Sequence, residues 1–304
     1  MRHPKWQSDT PGEEIPDDPS FHDSLKDEGD ISLRLSLDGE RTSQNGSFDP
    51  VLRKRRRLVV IALDSYDKEG NPDEKMAKYV QDVIHAARAD NSLAGVTGIA
   101  LSTAMPFSEV ASFMKSANIH VNEFDALICS SGGELYYTTA GAGDEAKPSR
   151  DPDYASHIGY RWGSVGLKKT IWKLMEGGDS ASSSIQEDAA STNSHCIAYY
   201  VKDSSRAMKI QEMRKKLRMR GLRCHPMYCR SSTRMQIVPL LASRAMALRY
   251  LFVRWRVNVG NMYVIGSEEL MRSMDMRDDV VPRESSSTIH VDDPSVAHIA
   301  RVLQ

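Results

Sequence analysis

Two carboxylates open the chemical reading of this chain. In LVVIALDSYD, residues 58 to 67, six apolar residues run into Asp64, and Asp67 follows three positions later. A short β-branched run ending in an acid is the pattern of a strand buried on both faces of a parallel sheet. Such a strand delivers its carboxylate to the carboxyl edge of the sheet, where α/β proteins place their reacting groups. A carboxylate standing there is poised for phosphoryl transfer or for holding a divalent cation. The cysteines offer less. Cys224 and Cys229 flank His225, but paired Cys-x-x-Cys knuckles are absent, and with Cys129 and Cys196 they read as ordinary reduced, half-buried thiols.

The elements that must position Asp64 follow a βα rhythm. After the strand at 58–63 comes DEKMAKYVQDVIHAARAD, with Met76, Tyr79, Val80, Val83, Ile84 and Ala87 on one helical face. GVTGIALST (95–103) predicts a second strand ending in Ser102 and Thr103, and PFSEVASFMKSA a second helix. FDALICSSGGELYY then reads as a strand, a turn at Gly132 and Gly133, and another strand. This alternation predicts an α/β fold with a doubly wound parallel sheet. The middle differs: turn-rich at 138–157, serine-rich at 177–194, and otherwise short strands and basic helices, the pattern of an inserted α+β cap. MQIVPLLASRAMALRYLFVRWRV and GNMYVIGSEELM return to strand and helix.

The expected organisation is therefore a disordered linker over 1–57, core over 58–137, cap over 138–230, core again over 231–281 and a loosely held polar tail over 282–304. The linker is rich in Pro, Gly, Ser and acids, too polar to offset its ordering entropy by burial. ISLRLSLDGE (31–40) is a brief amphipathic patch within it, and RKRRR (53–57) reads as a solvated lead-in to the first strand. With 40 basic against 41 acidic residues the net charge is -1, which implies no general attraction to nucleic acid or membrane. No apolar run approaches the roughly 20 residues of a spanning helix.

A sheet interrupted by an inserted cap resembles the haloacid-dehalogenase-like phosphatases. The stretches RRRLVVIALDSYD, EFDALICSSGGELYY, HIGYRWGSVGLKKT, LRCHPMYCRSSTRMQIVPLLASRAMALRYLFVRW and GSEELMRS resemble, more narrowly, the sucrose-phosphatase-like domain of plant sucrose-phosphate synthases. The resemblance implies a cytoplasmic plant protein of sucrose synthesis. It also implies a parent glycosyltransferase domain outside these residues, a sucrose phosphatase as partner, and sucrose 6-phosphate as ligand.

Phosphatases of the resembled family begin with Asp-x-Asp: the first acid attacks phosphorus and the second protonates the leaving oxygen. With Asp64 as the second acid, the attacking position is Ala62, a methyl group. With Asp64 as the first, the partner position is Tyr66, and Asp67 lies one residue too far. The resemblance further implies phosphate binding by Ser102, Thr103 and Arg244, the last replacing a lysine. It implies sugar contacts at Gly133 and at Tyr160, Arg161, Trp162 and Lys168 of the cap, with Gly159 standing where relatives carry an acid. The acids that would hold magnesium follow the last strand in the family, but here MYVI runs directly into GSEELMRS. Glu268 and Glu269 begin a predicted helix, and Asp275, Asp278 and Asp279 come after it, so neither group replaces them. The expectation is a non-catalytic, cofactor-free relative, with a magnesium-dependent sucrose-6-phosphate phosphatase as the alternative. The shortened end is expected to leave the last core strand without cover.

Overall fold

Seven residues, Arg57–Leu63 (β1), set the frame, because every residue after Arg57 is buried. The computed structural model describes residues 55–63, 66–89, 95–138, 148–176, 184–266 and 279–282, with the backbone of 287–290. All fall within one unit, Phe48–Gln304. The expected linker up to residue 54, Asp64, the 177–183 part of the serine-rich loop, Glu268, Glu269, Asp275 and Asp278 lie outside the described residues.

From β1 the chain forms helix α1 (Glu74–Arg88), strand β2 (Thr97–Thr103), helix α2 (Phe107–Ser116) and strand β3 (Ala126–Cys129). Asp73 caps α1 by accepting from the Lys75 amide. Strands β4 (Glu134–Tyr137) and β5 (Ser149–Arg150) then run antiparallel to their neighbours. A turn of a few residues cannot supply the crossover that a parallel strand needs, so the sheet is mixed at this edge rather than parallel throughout. Helix α3 (Pro152–Gly159) leads into the cap, which holds helix α4 (Ser164–Glu176), strands β6 (Ile185–Glu187) and β7 (Ile197–Val201), helix α5 (Ile210–Met219), and strands β8 (Cys224–Cys229) and β9 (Arg234–Pro239). The core resumes with helix α6 (Arg244–Trp255) and strands β10 (Met262–Gly266) and β11 (Ser287–His290).

The larger sheet has the order β11-β10-β1-β2-β3-β4-β5, parallel from β11 to β3. Alternation along the strands separates its two faces. Leu58, Val60, Ala62, Ala100 and Ile128 pack against α6, while Val59, Ile61, Leu63, Leu101 and Leu127 pack in the layer that holds α1 and α2. Helices thus cover both faces, as the doubly wound pattern predicts.

The structure differs from the sequence reading at three places. Strand β9, assigned by sequence to the second core segment, pairs in the four-stranded cap sheet, β6-β7-β9-β8. Its apolar run misleads because it is buried on both sides: Met235 and Ile237 join the cap cluster and Val238 the core cluster. Strand β5, inside the expected cap, belongs to the core sheet. The tail is not uniformly loose either, since β11 pairs in parallel with β10, so β10 has a neighbour on each side.

Three charged links tie cap to core. Arg230, 5% exposed, gives a bidentate pair to Glu109 of α2 at 2.9 and 2.6 Å. Arg214 of α5 and His225 of β8 both meet Asp279, at 2.8 and 2.7 Å. Arg55 is not merely solvated: it pairs with Asp125 at 2.6 Å ahead of β1.

The tightest junction is the turn at 130–132 after β3. Ser130, Ser131 and Gly132 all have positive φ, of 50°, 52° and 94°. A Cβ on Gly132 would lie 2.0 Å from the Ala242 carbonyl oxygen, whereas one on Gly166 in α4 would meet nothing within 4 Å. Gly132→Ala should therefore cost about 3 kcal/mol or more, measured as a lowered urea midpoint. Gly166→Ala should instead stabilise by roughly 0.5–1 kcal/mol through its helix propensity.

Candidate functional site

The carboxyl ends of β1 and β2 lie side by side, with Ala62 opposite Ser102 and Leu63 opposite Thr103 in the parallel register. Pleating sends consecutive residues to opposite faces, so Ser102 and Thr103 do not serve one point. Ser102 shares the α6 face with Ala62. There Arg244, the first residue of α6 and only 3% exposed, donates from Nε to Ser102 Oγ at 2.8 Å and from a terminal nitrogen to the Ser102 carbonyl. Ser243 caps the helix by accepting from the Met246 amide, which fixes where Arg244 emerges. Thr103 instead accepts from the Met105 amide at 3.2 Å and shares a hydrogen bond with the Tyr66 hydroxyl at 3.2 Å. Of the three expected phosphate-binding residues, the structure brings Arg244 and Ser102 into contact and commits Thr103 to Tyr66.

Tyr66 belongs to a loop seated on the turn between β8 and β9 of the cap sheet. The Arg230 guanidinium lies 5.7 Å from its ring centroid, and Ser231 Oγ donates to its carbonyl at 3.3 Å. Asp67 is engaged locally: its Oδ1 accepts from the amides of Asn71 and Glu69, which hold its carboxyl below the usual range.

Cap and core meet above these strand ends through a buried polar network that sequence reading did not find. Gln236 of β9 accepts from Ser131 Oγ at 2.6 Å and donates to the Ala104 carbonyl at 2.8 Å. Glu134 accepts from Ser130 Oγ at 2.8 Å and from the Tyr136 hydroxyl at 2.9 Å, and Ser130 in turn accepts from Asn193 Nδ2 at 2.9 Å. Burial, with the Glu134 carboxylate beside it, pushes the Tyr136 hydroxyl well above its ordinary pKa. Nothing local in the sequence marks these residues, whose partners are up to 132 positions away.

The expected sugar contacts divide. Gly133, Gly159 and Trp162 converge on the loop at 194–195. A Cβ on Gly133 would sit 2.8 Å from the His195 carbonyl oxygen, one on Gly159 would sit 3.0 Å from His195 Nε2, and the Trp162 indole donates to the Ser194 carbonyl at 2.9 Å. Gly133 is thus packed against backbone instead of being open to a sugar. Tyr160 is 71% exposed, with the Arg161 guanidinium over its ring, and Lys168 is held by Glu187 of β6. At the centre of this loop, Arg150 of β5 meets His195 Nδ1 at 2.9 Å.

The described residues do not fit a magnesium site. Ala62 offers no oxygen, Asp279 is engaged by Arg214 and His225, and no three His, Cys, Asp or Glu side chains converge among the described residues. All four cysteines are buried thiols outside any disulfide, which places Cys224 and Cys229 in packing.

His195 supplies a pH test. Burial first, and then the Arg150 guanidinium, hold its imidazole below the ordinary value of 6.5. A depressed histidine means that the unfolded chain binds the proton first as pH falls below about 6.5. The contribution of His195 to stability is therefore full above that pH and is lost as pH drops through the lowered folded value. Replacing it by Asn should flatten the decline in denaturation midpoint between neutral and mildly acidic pH.

The family model of sucrose-6F-phosphate phosphohydrolase matches residues 55–281. The chain is 49% identical to the probable sucrose-phosphate synthase 3 of Arabidopsis thaliana over 361 aligned positions, covering 94% of this chain and 34% of that protein. It is 41% identical to the sucrose-phosphate synthase of Zea mays, again over 94% of this chain and 34% of the relative. The chain thus spans about a third of the length of the curated relatives it matches. An alignment of 361 positions exceeds the whole chain, so the Arabidopsis relative carries residues within the matched stretch that this chain lacks. Among solved structures, the sucrose-phosphatase of Synechocystis sp. PCC6803 in complex with sucrose and phosphate aligns with a TM-score of 0.51 at 16% identity, over 70% of this chain and 76% of that one. An N-terminally truncated Plasmodium falciparum IMP-nucleotidase also reaches 0.51, at 12% identity, over 83% and 72%. These likenesses establish the haloacid-dehalogenase-like fold. With a family model matched across both core segments and the cap, the chain belongs to the sucrose-6F-phosphate phosphohydrolase family.

Proposed function

We propose that this chain is a non-catalytic, sucrose-phosphatase-like module of a sucrose-phosphate synthase that acts in sucrose biosynthesis in the cytoplasm. In this reading it works beside a parent glycosyltransferase domain and a sucrose phosphatase, and takes sucrose 6-phosphate as its ligand. The observation that carries the reading is Ala62, buried at the end of β1 directly opposite Ser102. A methyl group cannot form a phosphoaspartate, so the covalent route is closed from that position. Asp279 is spent on a cap contact, which leaves the acid unavailable for a metal.

The remaining cationic end supports weak anion binding. Arg244 can neutralise a phosphate, but a ligand must compete for it with Ser102, and Thr103 already holds Tyr66. Exchanging one satisfied set of hydrogen bonds for another gives little net free energy, so a dissociation constant on the order of millimolar is expected.

A phosphate-release assay with sucrose 6-phosphate and magnesium separates this reading from an active phosphatase. The wild-type chain should release no phosphate above background, while calorimetric titration should detect binding at millimolar ligand that Arg244→Met removes. Wild-type turnover abolished by Asp64→Asn would overturn the non-catalytic reading. Absence of heat at millimolar ligand would remove sucrose 6-phosphate from it.

A further inference from the structure

A strongly basic stretch lies far along the sequence from the phosphatase-like strand ends. Residues 202 to 223 contain nine lysines and arginines against two acids, +7 within a chain whose net charge is -1. The other residues together therefore carry -8. Both acids of the stretch are already taken, Asp203 by Arg206 and Glu212 by Lys216 at 2.6 Å. No acid of the stretch is left for Lys215, Arg218 and Arg220, all exposed on or beside α5.

Among these cations sits an apolar side chain that folding does not use. Met219 is 77% exposed, while Met213 and Leu217 of the same helix are buried in the cap cluster. Lys215 lies four residues before Met219 on the same helical face, and Arg218 and Arg220 flank it in sequence. The neighbouring helix repeats the composition: α4 packs Leu167 and Ile171 into the same cluster and exposes Val165 at 74% and Trp172 at 41%, beside Lys169 and Lys173. Two helices on one side of the cap sheet thus present cations mixed with exposed apolar groups. Methionine and arginine are enriched where proteins meet proteins, and a bare apolar group has no role in binding a simple polyanion.

We propose that the outer face of the cap around α5 is a docking surface for an acidic segment of a partner protein. Carboxylates of the segment meet Lys215, Arg218 and Arg220, and one apolar side chain of the segment seats on Met219. Charge complementarity favours a short acidic segment over a long nucleic acid. The helix spans about 15 Å, the reach of a short segment with a few carboxylates, and the exposed Met219 offers an apolar seat that a phosphate backbone has nothing to fill. The proposal does not rest on the phosphatase-like reading, and its failure would leave that reading intact.

Fluorescence anisotropy with the full chain tests it, using a short labelled polyglutamate peptide carrying one central leucine. Binding should weaken about tenfold or more in the triple variant Lys215→Glu, Arg218→Glu, Arg220→Glu, and should fall with added salt. The same peptide with glycine in place of leucine should bind severalfold more weakly, and Met219→Ser should erase that difference. These positions are exposed, so circular dichroism and thermal melting of the variants should match the wild type. The proposal is overturned if the peptide does not bind, if the triple variant binds it unchanged, or if Met219→Ser leaves the leucine preference intact. Tighter binding of a labelled oligothymidylate than of the peptide would also overturn it and assign the face to nucleic acid.

Discussion

The close approach at Gly132 is the constraint on which the rest of this structure depends. The turn after β3 carries Ser130 and Ser131 in the left-handed region and presses Gly132 onto the backbone ahead of α6. Left-handed residues without glycine cost about 1–3 kcal/mol each, so the surroundings must over-determine the turn. They do: Ser131 donates to Gln236 of the cap, Ser130 to Glu134, and the Gly132 carbonyl accepts from Tyr154 at 2.6 Å. One turn therefore locks the core sheet, the start of α6 and a cap strand together. The position of Arg244, one residue beyond Ser243, follows from that lock.

This explains why the strand ends look as they do. Here Arg244 serves Ser102, Tyr66 serves Thr103, and Gln236 serves the Ala104 carbonyl. Each bond is modest alone, but buried polar groups that satisfy one another are costly to disturb singly. Ala62 fits the same picture, since its methyl packs into the core cluster without a charge to satisfy. The chain has the architecture of its family, and these polar groups at the described sheet edge satisfy one another.

Much of this was legible in the sequence, and the boundary is physical. The strand at 58–63, both flanking helices and the second strand announce themselves by local periodicity. The exchange of β9 between domains was not legible, because a strand buried on both faces reads alike in either sheet. Nor were Gln236, Asn193 and His195, whose partners Ala104, Ser130 and Arg150 lie 132, 63 and 45 positions away in the chain. Arg230 shows the same limit: in CRSST it looks like a turn residue, yet its partner Glu109 lies 121 positions earlier. Asp279 was visible as an acid near the expected metal site, but only the fold reveals that Arg214 and His225 hold it.

The two-residue length of β5 bears on how this protein behaves at high concentration. Ser149–Arg150 ends its side of the seven-stranded sheet, where unpaired amides and carbonyls would otherwise invite another chain to add on. So brief a border offers almost no template, and Arg150 is drawn toward His195 besides. Protection from strand-to-strand clumping on this side thus comes from stopping the ladder early, at almost no cost to the interior.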